Sequence, residues 1–306
     1  MASAGRLYRV ALVLAGAGVL AVAAALASAA ARTTLAAPSL GGIADACRTA
    51  LPSDMSPMAL AVLALGVFGA AVVVRAVVSL WRRLRAQRRL LGALCGREIE
   101  IAGRRVTVIE DLASRAFCGG YLWPRVYVSS GAIARLDARE LDAVVEHEEH
   151  HRRRRDPLRM LLLEVLADGL FFAPALRALS NRYAALAEVA ADEAAVGRCG
   201  AGALASALVG FDGAREPDAD VVGIAPERVD HLLGERLRWR LPPLVLLGSS
   251  LAVLGLFASA VAVLLAAGTS VDAAVLTAQG CMAMLCPLLA LGAAAALARS
   301  CLRLGS

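Results

Sequence analysis

Four long stretches without a charged residue constrain this chain more than any other feature: about 10–31, 55–74, 241–267 and 273–298. A helix needs about 20 apolar residues to cross the hydrocarbon core of a bilayer, and each stretch is long enough. Gly268, Thr269, Ser270 and Asp272 separate the last two and read as a tight hairpin. Four such runs in 306 residues, with 59% hydrophobic content, exceed what a soluble core of this size accommodates. The expected architecture is mainly α. Residues 1–81 hold two transmembrane helices, 82–240 form an α+β domain, and 241–306 hold two more transmembrane helices.

Arginine sets the orientation, because the sequence has no lysine. Arg6 and Arg9 precede the first stretch, and Arg75, Arg82, Arg83, Arg85, Arg88 and Arg89 follow the second. Arg236, Arg238 and Arg240 precede the third, while Arg299 and Arg303 follow the fourth. The two opposite loops carry only Arg32 and Arg48. Short cationic loops stay on the cytoplasmic side, so both termini and residues 82–240 are expected in the cytosol of a multi-pass cell-membrane protein. An Ala-rich segment near Ser28 also resembles a signal-peptide cleavage site, and cleavage there would leave the later topology unchanged. The net charge of +6 sits in these membrane-flanking runs, so direct nucleic-acid binding is not expected. Seven cysteines, none in a C-x-x-C, indicate neither a disulfide framework nor a thiolate metal site.

Within 82–240, Glu98 to Ile101 and Val106 to Ile109 alternate around a turn at Ala102-Gly103, and Arg125 to Ser129 reads as a second short strand. Asp137 with Glu140 forms a capping-box pattern, opening a helix that should stop near Asp156-Pro157. Leu158 to Leu179 is apolar but interrupted by Glu164, Asp168 and Pro174, which suits a core helix or one grazing the membrane better than a span. A further helix is expected over about 176–198, and a loop over 211–226.

The helix after Asp137 carries Glu146-His147-Glu148-Glu149-His150-His151, and so contains H-E-x-x-H. Residues four apart share a helical face, so His147 and His151 can converge on one ion, with Zn²⁺ the cation that suits neutral imidazole. Glu148 stands about 100° round the helix from His147, placed to act as general base toward a metal-bound water. A plain solvated face would account for the charges, which adjoin four arginines, but not for three of the four histidines falling within five residues. His150 is left as a non-ligand. For the third ligand, Cys199, His231 and several acids compete. Glu188 is favoured because it shares a helical face with Asp192 amid Ala184, Ala185, Leu186, Val189, Ala190 and Ala191. Carboxylates entering so apolar a region need a partner. Asp192 can then take a hydrogen bond from a ligand histidine. Tyr183 and His231 are the candidates by residue type for stabilising an oxyanion.

From Ala116 to Val196 the chain resembles the BlaR/MecR family of membrane zinc peptidases. The matching pieces are Gly119 with Pro124-Arg125-Val126-Tyr127-Val128, Glu140-Leu141, Val144-Val145-Glu146-His147-Glu148 with His151, Arg153 to Pro157, Phe172-Ala173-Pro174, and Glu188-Val-Ala-Ala-Asp192-Glu193-Ala-Ala-Val196. The resemblance implies the ligands His147, His151 and Glu188, the base Glu148, and cytosolic proteolysis coupled to a signal, with a winged-helix transcriptional repressor as one possible substrate. Two departures matter. Ala191 stands where the family pattern has Cys, and without lysine there is no Ser-x-x-Lys acylation site, so β-lactam sensing is not implied. The span plan also resembles HtpX-type quality-control proteases. A third reading is a silent membrane scaffold with a structural zinc, against which the presence of Glu148 argues.

Overall fold

A computed structural model of the chain describes residues 2–34, 57–212, 243–266 and 271–272. The fourth apolar stretch, Gly268, Thr269 and Ser270 of the hairpin before it, most of the 32–54 loop, nearly all of 211–226 and His231 lie outside the described residues.

The described chain is mainly helical with a small sheet. Its elements are helix α1 (Ala2–Arg32), strand β1 (Thr33–Thr34), helix α2 (Pro57–Gly92), strands β2 (Gly96–Ile101), β3 (Arg104–Ile109), β4 (Ala116–Gly119) and β5 (Arg125–Ser129), helices α3 (Ser130–Arg135), α4 (Ala138–Arg154), α5 (Asp156–Gly169), α6 (Ala175–Cys199), α7 (Ala201–Asp212) and α8 (Pro243–Leu265), and strand β6 (Val271–Asp272). Three of these, α1, α2 and α8, are long and apolar enough to cross a membrane. Both α1 and α2 outrun the apolar stretches that define them. The second continues without a break through Arg75 and the whole arginine run to Gly92.

The chain divides into two compact units. One comprises the described residues of Val19–Val72 and Val253–Ser306. Its core is Ala25, Ala29, Ala59, Val62, Leu65, Ala260 and Val263. Small residues let helix backbones approach where no hydrophobic effect drives them together. A Cβ on Gly69 would stand 2.7 Å from Leu26. Arg32 donates to the carbonyls of Val263 and Leu264, supplying donors to the last turn of α8, where a helix leaves its carbonyls without partners of its own. There β1 pairs with β6 in parallel.

The other unit comprises the described residues of Met1–Gly18 and Val73–Ala252. Its sheet runs β2-β3-β5-β4, with β3 and β5 parallel and the outer pairs antiparallel. The turn expected at Ala102-Gly103 is present, with both residues at positive φ (50° and 77°), the backbone that matches the twist of a two-residue hairpin. Val106, Val126, Val128, Ala132 and Val145 bury the sheet against α3 and α4. The capping box forms as read: the Asp137 carboxylate accepts from the Arg139 and Glu140 amides, and Glu140 accepts from the Asp137 amide. The segment Leu158–Leu179 resolves into α5, a turn after Gly169, and the start of α6. β4 was not anticipated, since four residues show no alternation.

Buried ion pairs fasten α4 to the sheet. Arg104 on β3 donates to Asp142, at 3.1 Å, and to Glu146. Glu149, 4% exposed, receives Arg152 and Arg153. The acidic residues around the histidines are therefore built into the packing rather than spread over a solvated face.

Candidate metal centre

α4 and α6 pack side by side and bring the two halves of the sequence pattern together. The helical turn places the Nε2 atoms of His147 and His151 3.3 Å apart. The Glu188 carboxylate closes the group from α6, with one oxygen 3.5 Å from His147 Nε2 and the other 3.4 Å from His151 Nε2. These three residues form a group that could hold a metal ion. Both imidazoles are buried, whereas the Glu188 side chain is 37% exposed, leaving the group open on one side.

The outward nitrogens of both rings face carboxylates. Asp192 Oδ1 lies 2.9 Å from His147 Nδ1, at hydrogen-bond distance though out of line with the ring N–H. Asp156 Oδ2 lies 3.0 Å from His151 Nδ1. Each Asp is 1% exposed. The Asp156 carboxylate can hold the proton on His151 Nδ1 and leave Nε2 facing inward, and Asp192 sets a negative charge beside the same nitrogen of His147.

Asp156 was legible in the sequence only as a helix stop. It reaches His151 because Arg155 adopts a left-handed backbone, φ 54°, folding the chain back at the end of α4. Tyr183 is fully buried, and its hydroxyl donates to Asp156 at 2.7 Å, with Arg159 at 3.4 Å from the same oxygen. It therefore stands behind His151 as a support for Asp156, not at the open side where an oxyanion would form. His150 is not part of this group, and its buried Nε2 has no hydrogen bond among the described residues.

The electrostatics fit a cation held between these groups. Burial disfavours the imidazolium, yet Asp192 and Glu188 outweigh it and carry the His147 pKa up to about 9. His151 is likewise opposed by burial and carried up to about 10 by Asp156 and Glu188. Glu188 is held well below the usual carboxylate range, its burial being outweighed by the two histidines. Glu148 moves the other way. Burial raises its pKa against the pull of His147 and His151, while the Cys118 amide of β4 donates to it.

A histidine pair one turn apart, closed by a carboxylate from a neighbouring helix and carried on a chain whose described residues include three membrane-length helices, is the arrangement of a membrane metallopeptidase. Residues 12–203 match the family described as BlaR1 peptidase M56, and the chain belongs to that family. No curated protein and no solved structure matches the chain.

Proposed function

We propose that this protein is a zinc metalloendopeptidase, with His147, His151 and Glu188 holding the ion and Glu148 serving as general base. One observation carries the reading. The two Nε2 atoms lie 3.3 Å apart and the two Glu188 oxygens lie 3.4 and 3.5 Å from them, close enough for one Zn²⁺ with ligand bonds of about 2.0–2.1 Å to be held by all three residues. Bound there, zinc would lower the pKa of a coordinated water and polarise a peptide carbonyl. The chain's own residues do the rest. Glu148, held by the Cys118 amide and with its proton affinity raised by burial, is the group that takes the proton from the attacking water. Asp192 and Asp156 fix the imidazole tautomers. A closed structural site has no use for a group like Glu148, which weighs against the scaffold reading.

The substrate is a polypeptide. β4 is an edge strand of the sheet, and its Cys118 touches Glu148. An extended peptide added to that edge would have its backbone held beside the base. The arginine distribution supports four spans with the 82–240 domain in the cytosol of the cell membrane. Such a site acts on cytosolic proteins or on the inner ends of membrane proteins. The family supports regulated cleavage of a protein such as a winged-helix repressor, and housekeeping cleavage of membrane proteins is the second reading. Comparative proteomics of cells expressing the wild type and Glu148→Gln tests this directly. A repressor stabilised in the variant favours regulation, broad accumulation of membrane proteins favours housekeeping, and identical proteomes reject both.

A further inference from the structure

The turn between α5 and α6, Gly169 to Ala175, reads Gly-Leu-Phe-Phe-Ala-Pro-Ala. Three membrane-length helices measure where it lies. Along α1, a Cβ on Gly18 would stand 3.0 Å from the Leu170 side chain. Gly18 is nine positions past Arg9, the last charge before the apolar stretch, which is about 14 Å along a helix. Along α8, the Ser249 hydroxyl accepts from the Ala175 amide at 3.0 Å. Ser249 is six positions inside the helix from Pro243, or about 9 Å.

Along α2, Arg75 donates to the Asp168 carbonyl at 3.2 Å and stands over the Phe171 ring at 5.0 Å. Arg75 lies six positions before Trp81 and the arginine run, between the exposed Val73, Val74, Val77 and Val78. An indole followed by arginines marks a membrane–water boundary, so Arg75 lies about 9 Å on the apolar side of it. α1 and α8 thus place the turn within their apolar stretches, and α2 places it at Arg75, one residue past the end of its uncharged stretch and still short of Trp81.

The polar groups near the turn are handled as an apolar solvent requires. The Asp168 carboxylate accepts from Ser79, Arg83 and Arg177, and Arg75 takes the Asp168 carbonyl and the Phe171 ring. Charges held this way are the ones tolerated below a membrane surface. Phe171 is 44% exposed, and on α8 Leu244, Leu247 and Leu251 of the same unit are 78%, 56% and 58% exposed.

We propose that the α5–α6 turn is inserted among the lipid acyl chains, with Phe171 in contact with them, so that the catalytic unit is anchored in the bilayer by a turn that spans nothing. The site is thereby held near the membrane. Along α6, Glu188 is thirteen positions from Ala175, or about 20 Å. This rests on the reading that α1, α2 and α8 cross the membrane, and the test separates the two.

The full chain, with Trp81, Trp123 and Trp239 replaced by Phe, is reconstituted in phosphatidylcholine vesicles with or without bromine on the acyl chains. Single tryptophans report from Phe171→Trp, Phe172→Trp, Leu244→Trp within α8, and Ala201→Trp at the start of α7, just past the far end of α6. Circular dichroism matching the parent selects the folded variants, and Phe172→Trp serves if Phe171→Trp fails. The turn tryptophan is expected to be quenched by bromolipid as strongly as Leu244→Trp and several-fold more than Ala201→Trp, while acrylamide shows the reverse order. If Leu244→Trp is quenched and the turn follows Ala201→Trp, the insertion is overturned and the spans stand. If Leu244→Trp escapes bromolipid, the membrane reading itself falls.

Discussion

Asp156 accepts from two buried neighbours at once, His151 Nδ1 at 3.0 Å and the Tyr183 hydroxyl at 2.7 Å. The carboxylate lies five residues after His151 and across a left-handed turn, so the end of α4 and the orientation of the second imidazole are one structural feature.

Asp156→Asn is therefore expected to weaken zinc binding by about 10- to 100-fold without removing a ligand, because the amide no longer holds the His151 proton in place. Tyr183→Phe, which leaves Asp156 in contact with His151, should have the smaller effect. Competition with a chromophoric chelator measures both. Unchanged affinity in Asp156→Asn would remove Asp156 from the supporting role.

His147→Ala, His151→Ala and Glu188→Ala are expected to lose stoichiometric zinc, since each removes one of three protein donors. Glu148→Gln should keep the metal and lose proteolysis by about 10²- to 10⁴-fold. Metal analysis and a peptide-cleavage assay on the same preparations separate the two roles. Zinc retained by a purified His147→Ala/His151→Ala protein would sink the ligand assignment.

The residues that were legible in the sequence are those whose partners lie within one helical turn or on the same helix face. The His147–His151 spacing, the Asp137–Glu140 capping box and the Glu188–Asp192 face depend only on helical period and are present as read. Asp156 escaped because its approach requires positive φ at an arginine, which no residue type announces. The pairing of Glu146 is not legible in the sequence, because its buried partner, Arg104, arrives from a strand 42 residues earlier. Tyr183 was singled out by residue type, but its position on α6 turns it toward Asp156 and away from the open side.

The Arg104–Glu146 pair yields a stability prediction. Both side chains are under a tenth exposed, at 8% and 9%. Removing one partner strands a buried charge, at a cost of about 3–5 kcal/mol. Arg198 lies 3.6 Å from the same Glu146 oxygen and can compensate in part. Arg104→Ala should fall at the lower end of that range and show as a reduced melting temperature in detergent. Arg104→Ala melting with the wild type would show that Arg198 alone suffices.

The hairpin turn offers a change in the opposite direction. Ala102 holds φ 50°, a conformation that costs a residue with a Cβ and that Asn tolerates through its short polar side chain. With Gly103 at φ 77°, Ala102→Asn creates the Asn-Gly sequence that two-residue hairpins favour. The substitution lies on the β2–β3 turn, which contributes no residue to the histidine group. A gain of up to about 1 kcal/mol is expected, a part of the roughly 1–2 kcal/mol that a Cβ costs in the left-handed region. Zinc content and activity should not change. A lower melting temperature would mean that Asn at this turn loses contacts worth more than the strain it relieves.

Topology decides which proteins the site can reach. Six arginines between 75 and 89 and three between 236 and 240 flank the central domain, against two in the opposite loops. Translocating such clusters is unfavourable, so residues 82–240 are expected in the cytosol. The membrane-length helices add a constraint: α2 carries its arginines on an unbroken helix to Gly92, so the clusters cannot loop back across the bilayer independently of the domain they lead into. Alkaline phosphatase fused near Gly213 should be inactive, because it folds only after export, and a fluorescent protein fused at Ser306 should be bright. An active phosphatase at Gly213 would reverse the orientation. The histidine group would then face exported chains, and a cytosolic repressor could not be its substrate.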